Sequence, residues 1–373
     1  MKLAIIGAST GQLPLCIKAK EMGIQTICFA WDKGAICKDY VDKFYPISVT
    51  EKDQIVDVCR EERIDGVVSN ASDILAEVVA YVSTKLNLVG NNYEDILSIR
   101  NKRYMREITN KIDGLSHIQL YSLDDEECIK YPCVVKPISG AAKKGVSYVS
   151  NVYELSTAIN YTTETAENII IEQYIEGQEI SVETISYKNQ HYILQITDKD
   201  STGSPHFVEL GHHQPALLEE CVRNKIRDVV SRLLNIVGFK NGATHIELKI
   251  DSEGEIYLIE INPRGGGDEI SSKLVELSTG YDYIKGMIEV ALGIIKFPIV
   301  LKENYSGIYY LCEQTRHILP FMKENNQPWL IESKIVTESL TKATGNYDRN
   351  GYLIYQNHQP RPLEELLKDV KQL

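Results

Sequence analysis

The chain has 373 residues, 43% of them hydrophobic and 25% charged. That make-up suits a folded chain of roughly two or three domains and excludes disorder as its main state. Its 40 basic and 52 acidic side chains leave a net charge of −12, which excludes a broad basic footprint for nucleic acid but leaves room for a basic pocket around one nucleotide.

The first hundred residues alternate short apolar strands with amphipathic helices. Strands are expected at Leu3–Ile6, Thr26–Ala30, Gly66–Ser69 and Leu88–Val89. Helices are expected at Gln12–Met22, Lys52–Glu62 and Ile74–Leu86. Such alternation predicts a parallel sheet covered on both faces. The middle of the chain turns to strands separated by Gly, Asn and charged turns, at Tyr131–Lys136, Val146–Val149, Ile169–Tyr174, Ile180–Ile185 and His191–Ile196, with a helix near Glu154–Asn160. A long amphipathic helix follows at Glu219–Val237, then strands at Thr244–Ile250 and Ile256–Ile261 and a helix over Ser271–Leu292. The last seventy or so residues read as strands ending in a charged helix near Leu363–Val370. No apolar run is long enough to span a bilayer, and Met1–Thr10 lacks the long apolar core of a secretory signal. The eight cysteines are scattered and form no CxxC pair, so reduced thiols in a cytoplasmic chain are expected.

Gly7-Ala8-Ser9-Thr10-Gly11 matches the G-x-S-x-G elbow of serine hydrolases and faintly imitates a dinucleotide-binding turn. Neither pattern is complete, because only Met1-Lys2 precedes the first strand and Ser9 replaces the middle glycine. The plain reading is a tight strand-to-helix turn whose amides face a ligand edge. The strongest local pattern runs from His245 to Asn262. It reads as a hairpin in which His245, Glu247 and Lys249 share one face of the first strand, and Glu260 and Asn262 share one face of the second. An even loop puts Glu247 and Glu260 on the same face; an odd loop separates them. Facing carboxylates repel, and a cation between them would relieve that. Carboxylate and amide oxygens suit Mg²⁺, which completes its shell with water and phosphates. The plain alternative is a solvated sheet face.

Upstream, Lys136 ends an apolar strand just before Pro137. The small-residue loop Ser139–Gly145 follows, with Ala141 among the residues whose amides could approach phosphate, and with Lys143 and Lys144. Ile169–Glu179 is a strand, a glycine turn and a second strand. In this order the segments resemble the ATP-grasp superfamily over roughly residues 1–295. The resemblance implies an α/β multidomain fold: a doubly wound parallel-sheet domain (1–105), a small lid subdomain (106–187), a large subdomain with the metal site (188–300) and a β-rich C-terminal segment (301–373). It implies Mg²⁺, with Mn²⁺ a compatible substitute, on Glu247, Glu260 and Asn262. It puts Lys102 and Lys136 on the ATP phosphates, Glu172 and Ile175 at the adenine, and Glu179 at the ribose.

The segment Phe207–Pro215 and the run Arg264-Gly265-Gly266-Gly267-Asp268 look closest to ligases that join two amino acids. By that resemblance Arg264 and Gly266 hold the carboxylate, Asp268 meets an ammonium group, and His212 and Ser9 line the substrate site. At least one of the adjacent His212 and His213 is expected in an exposed loop. The implied partners are a small carboxylate and an amine, with neither nucleic acid nor membrane, and a homodimer is compatible. The alternatives are a carboxylase that uses bicarbonate and a nucleotide-binding protein without chemistry.

Overall fold

The computed structural model describes residues 1–140, 144–204, 206–297, 299 and 301–364. The first four strands, β1 (Lys2–Ile6), β2 (Gln25–Phe29), β3 (Lys43–Tyr45) and β4 (Gly66–Val68), form a parallel sheet in the order β3-β2-β1-β4. Both faces of β1 are apolar because both are covered. Leu3 and Ile5 pack with Leu15, Cys16 and Ala19 of α1 (Leu13–Glu21), while Ala4 and Ile6 pack with residues of α2 (Lys52–Glu62) and α3 (Asp73–Leu86). The strand expected at Leu88–Val89 does not form. Asn87 adopts the left-handed conformation that ends α3, and the Leu88 amide turns back to Ser83 O. Helices α4 (Tyr93–Ile99) and α5 (Lys102–Thr109) follow, each capped by an asparagine side chain.

A small antiparallel sheet comes next, built from β5 (Leu120–Tyr121), β6 (Cys133–Pro137), β7 (Ser147–Val149) and β8 (Ile169–Gln173), with α6 (Val152–Thr163) packed on β6 and β7. The main sheet has eight strands in the order β13-β12-β9-β10-β11-β14-β16-β15. Its strands are β9 (Gln178–Tyr187), β10 (Gln190–Ser201), β11 (Glu209–Gln214), β12 (Gly242–Ile250), β13 (Ile256–Asn262), β14 (Tyr305–Leu311), β15 (Leu330–Ile335) and β16 (Gly351–Asn357). Helix α7 (Glu220–Ile236) lays Ile226, Val229, Val230, Leu233 and Leu234 on one face of this sheet, against Ile180, Val182, Ile246 and Leu248. Alternation then turns Glu179, Ser181, Glu183, His245 and Glu247 to the other face. The tyrosine-bearing C-terminal strands extend the same sheet, β14 pairing with β11.

The helix expected over Ser271–Leu292 is broken. A π-helical turn (Ile270–Leu274) leads into α8 (Val275–Thr279), Gly280 closes it at φ +71°, and Asp282 caps a new helix, α9 (Tyr283–Ala291). Most of the expected helix at Leu363–Val370 lies outside the described residues, as does Ala141. Among the described residues no helix is long and apolar enough to cross a membrane.

Candidate functional site

A cleft enclosing about 940 Å³, its open mouth included, lies between the small sheet and the main sheet, which is room for a nucleotide. Seven of the residues singled out from sequence line it: Lys102, Lys136, Glu172, Ile175, Glu179, Glu247 and Glu260.

The hairpin β12–β13 forms one wall. Its loop has five residues, which by itself would put Glu247 opposite Ile259. The register shifts by one between Glu247 and Leu248, so Glu247 lies directly opposite Glu260. A bulge at Ile259 therefore undoes the odd loop and returns both carboxylates to one face. Asn262 pairs with His245 on that face, and its buried Nδ2 has no hydrogen-bond partner among the described residues. Two carboxylates and an amide free to present its oxygen fit a hard divalent cation. Glu260 Oε1 accepts from Lys102 Nζ at 2.8 Å, and Glu247 Oε1 from Lys199 Nζ at 3.1 Å and His245 Nε2 at 3.2 Å. Burial opposes the Glu247 charge, but Lys199 and His245 outweigh it and hold the carboxyl well below its usual range.

Lys136 and Glu172 form a buried ion pair, and Glu172 also takes Arg106 Nε at 3.0 Å. Burial, with Arg106 and Lys102 nearby, outweighs Glu172 and pulls the Lys136 ammonium down to about 8. The Glu172 carboxyl, which burial alone would raise, is held at about 2 by Lys136 and Arg106. Around the turn after β8, Tyr174 packs edge-on against Tyr148 with centroids 4.9 Å apart, and Ile175 O accepts from Lys249 Nζ at 3.0 Å. Glu179 pairs with Lys199 at 3.0 Å.

The remaining residues form an adjoining polar group. Arg264 Nε donates to Asp73 Oδ1 of α3 at 2.9 Å, and Gly266 N to Glu183 Oε2 at 3.3 Å. Both oxygens of Asp268 are taken by Arg349, at 2.9 and 3.1 Å. His212 and His213 are both buried in β11, which corrects the expectation of an exposed loop histidine. They point apart, as adjacent strand residues must. His213 meets Asp200 and the Tyr355 hydroxyl, whereas His212 Nε2 lies 3.5 Å from Asp268 and 3.7 Å from Glu209. A second bulge, between the pairs Asp200–Gly211 and Ser201–Glu209, brings Glu209 onto the His212 face. Ser9 Oγ donates to Gln12 Oε1 at 2.7 Å. That bond closes the strand-to-helix turn, as the plain reading expects, and Ser9 does not line the cleft.

Sequence reading missed Lys199, Arg106, Asp73, Glu183, Glu209 and Arg349. Lys199 carried a signal, because Thr197-Asp198-Lys199-Asp200 prolongs the alternation of β10 past Ile196, where the strand was expected to stop. Glu209 lies within the segment Phe207–Pro215 but joins the His212 face only through a bulge. Arg106, Asp73, Glu183 and Arg349 meet the site residues Glu172, Arg264, Gly266 and Asp268 over long sequence separations, which no local pattern marks.

Residues 129–273 match the family described as ATP-grasp domain. The chain is 27% identical over 290 residues to a formate-dependent phosphoribosylglycinamide formyltransferase of Corynebacterium jeikeium, covering 71% of this chain and 68% of that one. It is 24% identical over 245 residues to an alanine–anticapsin ligase of Bacillus amyloliquefaciens, covering 58% of this chain and about half, 51%, of the relative. The L-amino acid ligase of Bacillus licheniformis superposes with a TM-score of 0.78 at 23% identity, covering 100% of this chain and 97% of that structure.

Proposed function

Residues 129–273 of this chain form an ATP-grasp domain, and from that premise we propose that the protein is an ADP-forming ligase joining a small carboxylate to an amine. The observation that carries the reading is the opposed pair Glu247 and Glu260 in one cleft with Lys102 and Lys136. Glu247, Glu260 and Asn262 would hold Mg²⁺, which supplies neutralisation of phosphate oxygen charge. Lys102 and Lys136 bind and orient the triphosphate, with Ile175 and Tyr174 beside the base and Glu179 at the ribose. The substrate carboxylate attacks the γ-phosphorus, the bond to the β–γ bridging oxygen breaks, and ADP leaves. The amine nitrogen then attacks the acyl carbon, phosphate departs, and the nitrogen loses a proton. Such transfer depends on positioning and charge neutralisation.

Arg264, its Nε fixed by Asp73 and its Nη1 donating to Gly265 O at 3.2 Å, keeps Nη2 and the second N–H of Nη1 for the carboxylate. Asp268, engaged by Arg349, acts by holding that arginine at the site. Amino acids as substrates are supported by the likeness to the alanine–anticapsin ligase and the L-amino acid ligase.

The test is a panel of amino acids, formate and bicarbonate, each with and without an amine, scored for ADP, phosphate and amide. ADP and phosphate should appear in step with amide. Arg264→Lys, which keeps charge but loses the planar fork, should lower that rate by about a hundredfold or more. Pyrophosphate among the products, or turnover indifferent to every amine, would refute the ligase reading.

A further inference from the structure

Each carboxylate assigned to the metal already carries a lysine ammonium. Lys199 Nζ lies 3.1 Å from Glu247, 3.0 Å from Glu179 and 3.2 Å from Glu209, and its side chain is 3% exposed. Lys102 Nζ lies 2.8 Å from Glu260, and its side chain is 10% exposed. The two lysines are held differently. Lys199 stands in the middle of the main sheet among three carboxylates, so losing one still leaves two. Lys102 opens helix α5 on the cleft wall and has one carboxylate partner among the described residues.

We propose that Lys102 is a positioning residue that blocks metal binding until nucleotide arrives: it occupies Glu260 in the free chain and moves to the phosphates when ATP enters. Lys199 stays in place and keeps Glu247 aligned and ionised. The proposal rests on the metal assignment given above. Its physical basis is competition between cations for the same oxygens. A divalent ion entering alone would meet two carboxylates already neutralised and two ammonium groups that repel it. A triphosphate offers Lys102 a stronger anion and offers the metal further oxygen ligands. Lys102 therefore passes from Glu260 to phosphate, Glu260 is released to the metal, and metal and nucleotide bind with positive coupling. No bond is made or broken in the exchange.

The test measures Mn²⁺ bound to the protein by electron paramagnetic resonance, with and without the ATP analogue AMP-PNP. Wild type should bind Mn²⁺ weakly alone and tightly with the analogue. Lys102→Met should bind Mn²⁺ without nucleotide about tenfold more tightly than wild type. Adding Glu260→Gln to Lys102→Met should remove that gain. Lys102→Arg, which keeps the cation, should bind as weakly as wild type and serves as the folded comparison. If neither Lys102→Met nor Lys102→Gln binds Mn²⁺ more tightly than wild type, while Glu260→Gln still weakens Mn²⁺ in the presence of AMP-PNP, the block is refuted and the metal site stands. If Glu260→Gln leaves that Mn²⁺ unchanged, the metal assignment itself falls and takes this proposal with it.

Discussion

Lys136 is a charged side chain at the end of an apolar strand, and such a residue must find an anion. In the free chain that anion is Glu172, shared with Arg106. Removing one partner of a buried pair leaves the other charge uncompensated, although Glu172 would keep Arg106. Lys136→Met should therefore destabilise the fold by about 3 kcal/mol and weaken nucleotide binding. Lys144 lines the same cleft but is exposed. Lys144→Met should change stability by no more than about 0.5 kcal/mol. Urea unfolding and nucleotide titration of the two variants check this, and equal losses in both would refute the special place given to Lys136.

Two bulges and one turn shape the cleft and the polar group that adjoins it. The bulge at Ile259 brings Glu260 across from Glu247, and the bulge in β11 brings Glu209 beside His212. Each changes the face of a carboxylate by one residue of register, because side chains alternate with period two. The turn between β8 and β9 carries Ile175 to the cleft and packs against the start of the β12–β13 loop. Gly177 has φ +151° there, and a Cβ on it would sit 2.1 Å from Ile250 O. That oxygen belongs to backbone and cannot swing aside. Gly177→Ala should cost about 3 kcal/mol, lowering the urea midpoint at unchanged slope, and it should weaken nucleotide binding by displacing Ile175. A midpoint within error of wild type would show that this turn tolerates a side chain.

Across the molecule, the residues around the parallel sheet reach the segment that matches the ATP-grasp domain. Asp73, at the first turn of α3, holds Arg264, and Asn70 donates to Ser271 Oγ at 2.9 Å. Burial opposes the Arg264 charge, and Asp73 outweighs it, with Glu247 and Glu260 adding to the effect. Asp73→Asn keeps the size and removes the charge. It should lower kcat/KM for the acid substrate by about tenfold to a hundredfold while the melting temperature changes little. Steady-state kinetics with the acid varied would show this, and an unchanged kcat/KM would mean that Arg264 orients itself. The C-terminal strands act in a similar way. They extend the main sheet and deliver Arg349 to Asp268, stacked 3.7 Å over the Tyr310 ring.

Local pattern in the chain encodes the layers of the fold. Alternating apolar strands and amphipathic helices specified the parallel sheet. The apolar stripe of Glu219–Val237 specified the helix that backs the main sheet. Lys136 before Pro137 and the carboxylates Glu247 and Glu260 on alternating strands stood out locally as charges amid apolar neighbours, while Lys102, Glu172, Ile175 and Glu179 came from the family resemblance. Whether Glu247 and Glu260 meet depends on strand pairing in three dimensions, since an odd loop separates them and a bulge reunites them. The partners depend on three-dimensional packing too. Arg264 with Asp73, Asp268 with Arg349, and Lys102 with Glu260 are 191, 81 and 158 residues apart. Contacts over such separations arise from how sheets and helices stack, and no periodicity in the chain records them.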